Sequence, residues 1–326
     1  MRARSRASCT FRAVTRAYIK SFMMAPRRSR MRRTRTGKRI ELSARDREIF
    51  RVMGGYRYLP STYIHAFVGG ASETRFKERL GDLFHEGYLD RPEQQWEIAS
   101  CRHRPVIHEL GPAAKRIVRD HATVLEPRTW LSGAPHRQFS HSLLICEVLA
   151  SFELATRARA GLRFISWPEM LAKAPAATQA SATPFRLPTG TSAGAVIPDG
   201  LFGVEYAMSG RKTYRFFALE ADRATMPVAR SSSDQTSYLA KLTAYREIIA
   251  RHGYKTHWGL PNLLVLTVTP SRSRVAEIIR RVETEFESSS TFLFRAMDPS
   301  ELRGPATQLL FDPWERAGLP PLRIDE

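Results

Sequence analysis

Ser72-Glu73-Thr74-Arg75-Phe76-Lys77-Glu78-Arg79-Leu80-Gly81-Asp82-Leu83-Phe84 is the stretch on which the fold turns. Ser72 can accept a hydrogen bond from a free first-turn N–H, and Phe76, Leu80, Leu83 and Phe84 then fall on one stripe at helical spacing. Thr74, Arg75 and Glu78 point outward, with Lys77 and Arg79 on the flanks. Upstream, Ser43 followed by Asp46 forms a variant capping box, and Leu42, Ile49, Phe50 and Met53 recur at helical spacing up to Gly54-Gly55. Pro60-Ser61 restarts a short helix through Tyr63, Ile64 and Phe67, which Gly69-Gly70 stops. Beyond Gly87, a strand at Tyr88–Arg91, a polar turn to Gln95, a returning strand at Val106–Leu110 and a helix opened by Gly111-Pro112 complete the pattern. Three short helices with glycine-containing turns and a strand pair predict a winged helix-turn-helix DNA-binding domain over residues 41–124.

A recognition helix reads base edges mainly with its N-terminal residues, which makes Thr74 and Arg75 candidates for base contacts and Lys77 and Arg79 for phosphate contacts. Glu78 and Asp82 on the same helix count against DNA, because carboxylates repel phosphates. The whole chain of 326 residues carries 51 Lys and Arg against 32 Asp and Glu. That excess is uneven: residues 1–39 hold 14 Lys and Arg and no acid, leaving a body of only +5. Residues 1–40 read as a disordered basic tail in which Arg32, Arg33 and Arg35 would clamp the DNA backbone and impose a steep salt dependence. The same run also reads as a leader ahead of a start at Met24 or Met31.

Cys9, Cys101 and Cys146 are an odd number at wide spacing, which excludes a disulfide framework and a CxxC metal site. No apolar run reaches the roughly 18 residues of a membrane span, the longest being Leu263–Val268. The expected setting is the cytoplasm of a bacterium, on nucleoid or plasmid. Residues 125–138 read as a linker. A long helix over 139–158 follows, then an aperiodic Ala, Thr, Ser, Pro and Gly stretch at 171–195 expected to be a mobile loop. Strands at 195–202, 214–220, 263–269 and 291–294 alternate with helices at 238–251 and 274–285. The fold class expected is therefore mixed α+β to α/β: a helical N-terminal unit, an α/β domain over 139–312 and a tail at 313–326.

With these elements in order, the chain resembles the replication-relaxation family of plasmid and mobile-element proteins. The matching stretches are Leu42-Ser43-Ala44-Arg45-Asp46-Arg47-Glu48-Ile49, His108-Glu109-Leu110-Gly111-Pro112-Ala113, Pro198-Asp199-Gly200, Leu219-Glu220-Ala221-Asp222-Arg223, and Lys241 followed by Tyr245, over roughly residues 41–270. The resemblance implies a winged helix-turn-helix and a role in plasmid replication or DNA relaxation, with double-stranded DNA and replication or mobile-element proteins as partners.

The order helix with Glu147, strand to Asp199, hairpin to Glu220-Ala221-Asp222, then helix, also looks like the restriction-endonuclease-like PD-(D/E)XK core. That likeness implies carboxylates converging on Mg²⁺, with Asp199, Glu220 and Lys241 as catalytic candidates and Glu147, Asp199, Glu220 and Asp222 as metal candidates. The departure is Asp222 where the lysine is expected; Arg223 faces the other way on a strand, whereas Lys241 can reach in from the helix. Pairing of the strands predicts one cleft holding Asp199, Glu220 and Asp222, occupied by Mg²⁺ or a proton or countered by Lys241 or Arg223. Ser209-Gly210-Arg211-Lys212-Thr213 reads as a hairpin turn rather than a phosphate loop, and His136, His141, His103 and His108 lack metal-ligand spacing. Three functions remain open: DNA-binding replication factor, Mg-dependent endonuclease, and protein-interaction adaptor.

Overall fold

The Ser43 N–H donates to the Asp46 carboxylate at 2.8 Å and the Asp46 N–H to the Ser43 hydroxyl at 3.2 Å, so the capping box opens α1 (Ala44–Gly54) as expected. The computed structural model describes residues 28–326 apart from 36, 38, 71, 98–100, 122–138, 190–193, 209, 224–237, 287–288 and 299. After α1 come β1 (Leu59–Pro60), α2 (Ser61–Val68), α3 (Glu73–His85), β2 (Leu89–Asp90), β3 (Ile107–Leu110) and α4 (Pro112–His121). Two 3₁₀ turns, Glu93–Glu97 and Cys101–His103, lie in the segment between β2 and β3. The three strands pair antiparallel in the order β1-β3-β2. Ser72 caps α3, and Phe76, Leu80, Leu83 and Phe84 are buried while Thr74, Arg75, Lys77 and Glu78 are exposed, as the stripe requires.

The second part runs α5 (Phe139–Arg157), β4 (Leu162–Ile165), α6 (Trp167–Leu171), α7 (Ala176–Gln179), β5 (Leu187–Pro188), β6 (Ala195–Val196), β7 (Gly200–Met208) and β8 (Arg211–Ala221). It continues through α8 (Tyr238–Ala250), α9 (Gly253–Trp258), β9 (Leu264–Thr269), α10 (Arg272–Phe286), β10 (Phe292–Ala296), α11 (Gln308–Phe311), β11 (Trp314–Arg316) and β12 (Leu319–Leu322). Seven strands form one mixed sheet in the order β12-β11-β10-β9-β8-β7-β4, parallel from β8 to β10 and antiparallel elsewhere. This is the mixed α/β domain expected. β7 and β8 are joined around Gly210, where φ of 75° suits glycine, so the connection is a hairpin turn rather than a phosphate loop.

Side chains alternate across the sheet. Phe202, Val204, Phe217, Leu219 and Leu266 pack toward α5, whereas Leu201, Phe216, Ala218 and Val265 join Leu242, Tyr245, Val275 and Ile278 from α8 and α10 on the other face. The cluster under α5 is continuous with the buried side chains of α1 to α4, including Phe50, Tyr63 and Leu80. Tyr56 donates to Glu153 of α5, and Thr62 donates to the Arg303 carbonyl at 2.8 Å, tying the two parts together. Against the expectation from uninterrupted apolar runs, α5 is long and apolar enough to span a membrane, but 72% of its most apolar window is buried inside the protein. Apolarity on all sides is what a helix between the helical unit and the sheet needs.

Three expectations need correction. The basic tail is not free through residue 40: Arg33 donates to the carbonyls of Phe84 (2.8 Å) and Leu89 (3.0 Å) and pairs with Asp90, Arg28 pairs with Asp82, and Arg30 donates to the carbonyls of Arg102 (2.9 Å) and Arg104 (2.6 Å). Residues 171–195 are not a featureless loop: α7 and the β5–β6 pair lie in them, held by Leu187 and by Phe185 edge-on to Trp167. Residues 313–326 are not a tail but two strands of the sheet, with Trp314, Ile324 and Asp325 fully buried. In each case one or two large apolar or guanidinium side chains anchor a stretch whose composition is otherwise that of a loop. The expected linker at 125–138 lies outside the described residues.

Candidate functional site

Asp199 lies in the bend just before β7, and its N–H donates to the Leu219 carbonyl, which places it beside the end of β8. Its carboxylate accepts the Ala221 N–H at 2.9 Å and contacts His141 Nε2, from the first turn of α5, at 3.1 Å. On β8, Glu220 points to the α8 face, where Tyr245 donates to it at 2.6 Å and Lys241 pairs with it. Tyr238, at the start of α8, bonds the Thr267 hydroxyl at 2.6 Å and lies within the field of Glu220, Asp222 and Asp199. Asp222 shares that face, two residues on, and pairs with Arg274 of α10 at 2.8 Å. Asp199 and Glu220 are therefore within electrostatic reach of each other and of Lys241, while Asp222 follows on the same face with Arg274 as its partner.

Burial pushes Glu220 up to about 7 against the pull of Lys241. Burial also opposes ionisation of Asp199, but the His141 bond, the Lys241 charge and the Ala221 N–H together hold it below the ordinary carboxylate value. Burial opposes the charge on His141 as well, yet its Asp199 partner outweighs this and raises its pKa. Each carboxylate thus has its own cation from this chain: His141 for Asp199, Lys241 for Glu220, Arg274 for Asp222.

That arrangement does not fit Mg²⁺. Glu147, the expected further ligand, lies on the α5 face of the sheet, opposite to Glu220, and its surroundings include Arg104 rather than Asp199. Asp222 is committed to Arg274, and the Lys241 ammonium occupies Glu220. Among the described residues no group of three His, Cys, Asp or Glu is arranged to hold a metal ion. Glu147, Asp199, Glu220 and Asp222 are therefore not gathered as one metal-binding set among the described residues, while Asp199, Glu220 and Lys241 do come together.

A second feature lies on the other side of Arg104. Arg30, Lys77, Arg91, Arg102, Arg104 and Arg303 line a groove of about 580 Å³ between α3 and the segment preceding β3. The carboxylate that lines it, Glu73, is paired with Lys77 at 2.7 Å. Arg91 is the deepest of these cations. It stacks over the Phe84 ring at 4.1 Å and one of its terminal nitrogens donates to the Arg30 carbonyl at 2.8 Å, while its buried Nε meets no acceptor. Burial, then the charges of Arg30 and Arg28, bring its pKa down to about 10. His108 beside it is buried with Nδ1 unpartnered and is held well below the ordinary histidine value, chiefly by that burial.

The family model of replication-relaxation proteins matches residues 50–263, well over half of the chain, and spans α3, most of the groove and the carboxylate corner. This chain belongs to the replication-relaxation family. No curated protein and no solved structure matches it. Family membership supports a replication-related role, and the two clusters of charge are where the fold departs from ordinary packing.

For this replication-relaxation protein the expected DNA contacts divide. Thr74, Arg75 and Lys77 are exposed on α3, and Arg32 and Arg35 are exposed ahead of α1. Arg79 is different: it forks onto the buried Asp46 carboxylate at 2.6 and 3.0 Å and onto the Glu41 carbonyl at 2.8 Å, a structural clamp between α3 and the α1 cap. Arg33, docked on α3 and β2, is likewise engaged. Sequence reasoning did not single out His141 as a partner of Asp199, nor Tyr245 as a partner of Glu220, nor the groove residues Arg30, Arg91, Arg102, Arg104 and Arg303. Tyr245 stood in the family motif; the arginines are scattered from one end of the chain to the other and share no local pattern.

Proposed function

We propose that this protein is a DNA-binding component of plasmid or mobile-element replication, acting in the bacterial cytoplasm, and that duplex DNA lies along α3 and the basic groove beside it. The observation that carries the reading is the groove's charge: Arg91, largely buried and with its Nε unpartnered, sits among five further cations and one acid that Lys77 already neutralises. A desolvated guanidinium is costly unless an anion meets it, and the phosphate backbone supplies one at each nucleotide. The helices α1 to α3 with the β1-β3-β2 sheet support a winged helix-turn-helix reading, in which Lys77, Arg102 and Arg303 contact phosphates and Thr74 and Arg75 on the outer side of α3 reach base edges.

The test is duplex binding across a salt series. Replacing Arg102 and Arg303 by Glu should weaken binding by more than about tenfold and flatten the slope of log affinity against log salt by roughly one for each phosphate no longer engaged. Arg75→Ala should cost about 1–3 kcal/mol on a cognate site and far less on random DNA. Unchanged affinity and slope in the Arg102/Arg303 variant would reject the groove as a DNA surface and leave a protein-interaction role for the helical unit.

A further inference from the structure

Between the groove and the carboxylate corner lies a separate cavity of about 310 Å³. It sits where Arg223 follows β8, Thr269 and Pro270 close β9, and Met297 follows β10, outside the C-terminal ends of the parallel strands. Crevices at that end of an α/β sheet are the usual place for ligands. Its walls are apolar: Leu144 of α5, Val268, Met297 and Leu302.

Two polar groups break that apolar lining. Thr269 is only 2% exposed and its hydroxyl has no hydrogen-bond partner. Glu147 is 8% exposed, and no hydrogen bond or ion pair among the described residues reaches its carboxyl group. Burial pushes that group up to about 8, so near neutral pH it is largely protonated and offers a donor and an acceptor together. A buried hydroxyl left unpaired is costly, and native proteins seldom keep one without something to satisfy it; here it shares the cavity wall with the Glu147 carboxyl. At the mouth the character changes again: Arg104 is half-buried and Arg223 and Arg303 are exposed, a cationic rim around an apolar slot.

The complement of this cavity is a flat body with apolar faces, a mixed donor–acceptor edge and an anionic group left outside. We infer that the cavity is a nucleotide-binding site, taking a nucleobase against Glu147 and Thr269 and its phosphate on Arg104, Arg223 and Arg303. The choice of ligand rests on the nucleic-acid reading of the groove, because Arg104, Pro105 and Arg303 line both spaces and a strand in the groove would run onto the cavity's mouth. Free nucleotides and an unpaired nucleotide within a strand share this chemistry.

The experiment uses the full chain and three probes: nucleoside monophosphates read by thermal shift, a short labelled single-stranded oligonucleotide, and the same strand with its central bases removed. An intact strand held about tenfold more tightly than the abasic one, the size of one well-seated base, identifies a strand nucleotide as occupant. A thermal shift with monophosphates and no strand preference identifies the free nucleotide. Thr269→Val and Glu147→Leu, each checked for an unchanged fold by circular dichroism, should remove whichever signal is seen. A protein that distinguishes neither intact from abasic strand nor monophosphate from buffer overturns the inference, as does a base preference that survives both substitutions. Duplex affinity of an Arg102→Glu variant, altered in the groove and not in the cavity lining, is a separate readout, so the groove and the cavity can fail independently.

Discussion

The carboxylate corner and the basic groove flank one ligand-sized cavity, and they handle charge in opposite ways. At the corner each acid has a cation: His141, Lys241 and Arg274 face Asp199, Glu220 and Asp222. In the groove six cations face one acid that is itself paired. A charge balanced within the chain is part of the fold, whereas one left unbalanced at a surface indicates a partner to come. By that criterion the corner is built for rigidity and the groove for binding.

The comparison breaks most sharply at Arg274. Its removal takes the guanidinium from a buried Asp222, so Arg274→Ala should cost about 3–5 kcal/mol in urea unfolding. A loss under about 1 kcal/mol would mean that the corner tolerates unbalanced charge just as the groove does.

Glu147, between the two, should show its burial in the pH profile. Its pKa is near 8 in the folded protein and at the ordinary 4.5 when unfolded. The folded state therefore binds the proton more tightly, the contribution is fully present below about pH 4.5, and it is lost as pH rises through 8. Glu147→Gln should leave stability unchanged near pH 4 and raise it by roughly 2–4 kcal/mol at pH 9, where the wild type carries a buried anion. Parallel profiles for the two proteins would show that Glu147 is solvated.

Smallest are the exposed cations in and beside the groove in the absence of ligand. Arg102→Ala should change stability by no more than about 0.5 kcal/mol, as an exposed side chain does. Arg28→Ala, which breaks a half-exposed pair with Asp82, should cost about 0–1 kcal/mol. A larger loss at Arg102 would make the groove a structural network like the corner.

Much of this was legible in sequence because it is written in local patterns. The Ser43 capping box, the Phe76–Phe84 stripe and the alternation that puts Glu220 and Asp222 on one face each need only a few neighbouring residues. The pairings were not legible. Arg79 reads as a flanking phosphate contact until Asp46, 33 residues away, is seen to be buried under it. Glu147 reads as a metal ligand until the sheet is found to lie between it and Glu220. Arg30 and Arg303 become neighbours only when the arm before α1 and the turn before α11 fold onto the same segment. Strand β12 escaped because its two central residues, Pro320 and Pro321, give Leu319–Leu322 the composition of a loop; as the outermost strand of the sheet it can do without their N–H groups.

After β12 the chain turns back across the sheet. The Ile324 carbonyl accepts from the Tyr206 hydroxyl, and Asp325, fully buried, pairs with Arg159 across 166 positions and with Arg323 at 3.1 Å. A ribosome making this protein has extruded β4, β7 and β8 long before their clasp exists. Until residue 325 emerges, Arg159 and Tyr206 lack these partners, and contacts so distant in sequence are of the kind that slow folding. A protease that trimmed the chain back past Ile324 would therefore remove the contacts to Tyr206 and Arg159 rather than shed a dispensable extension.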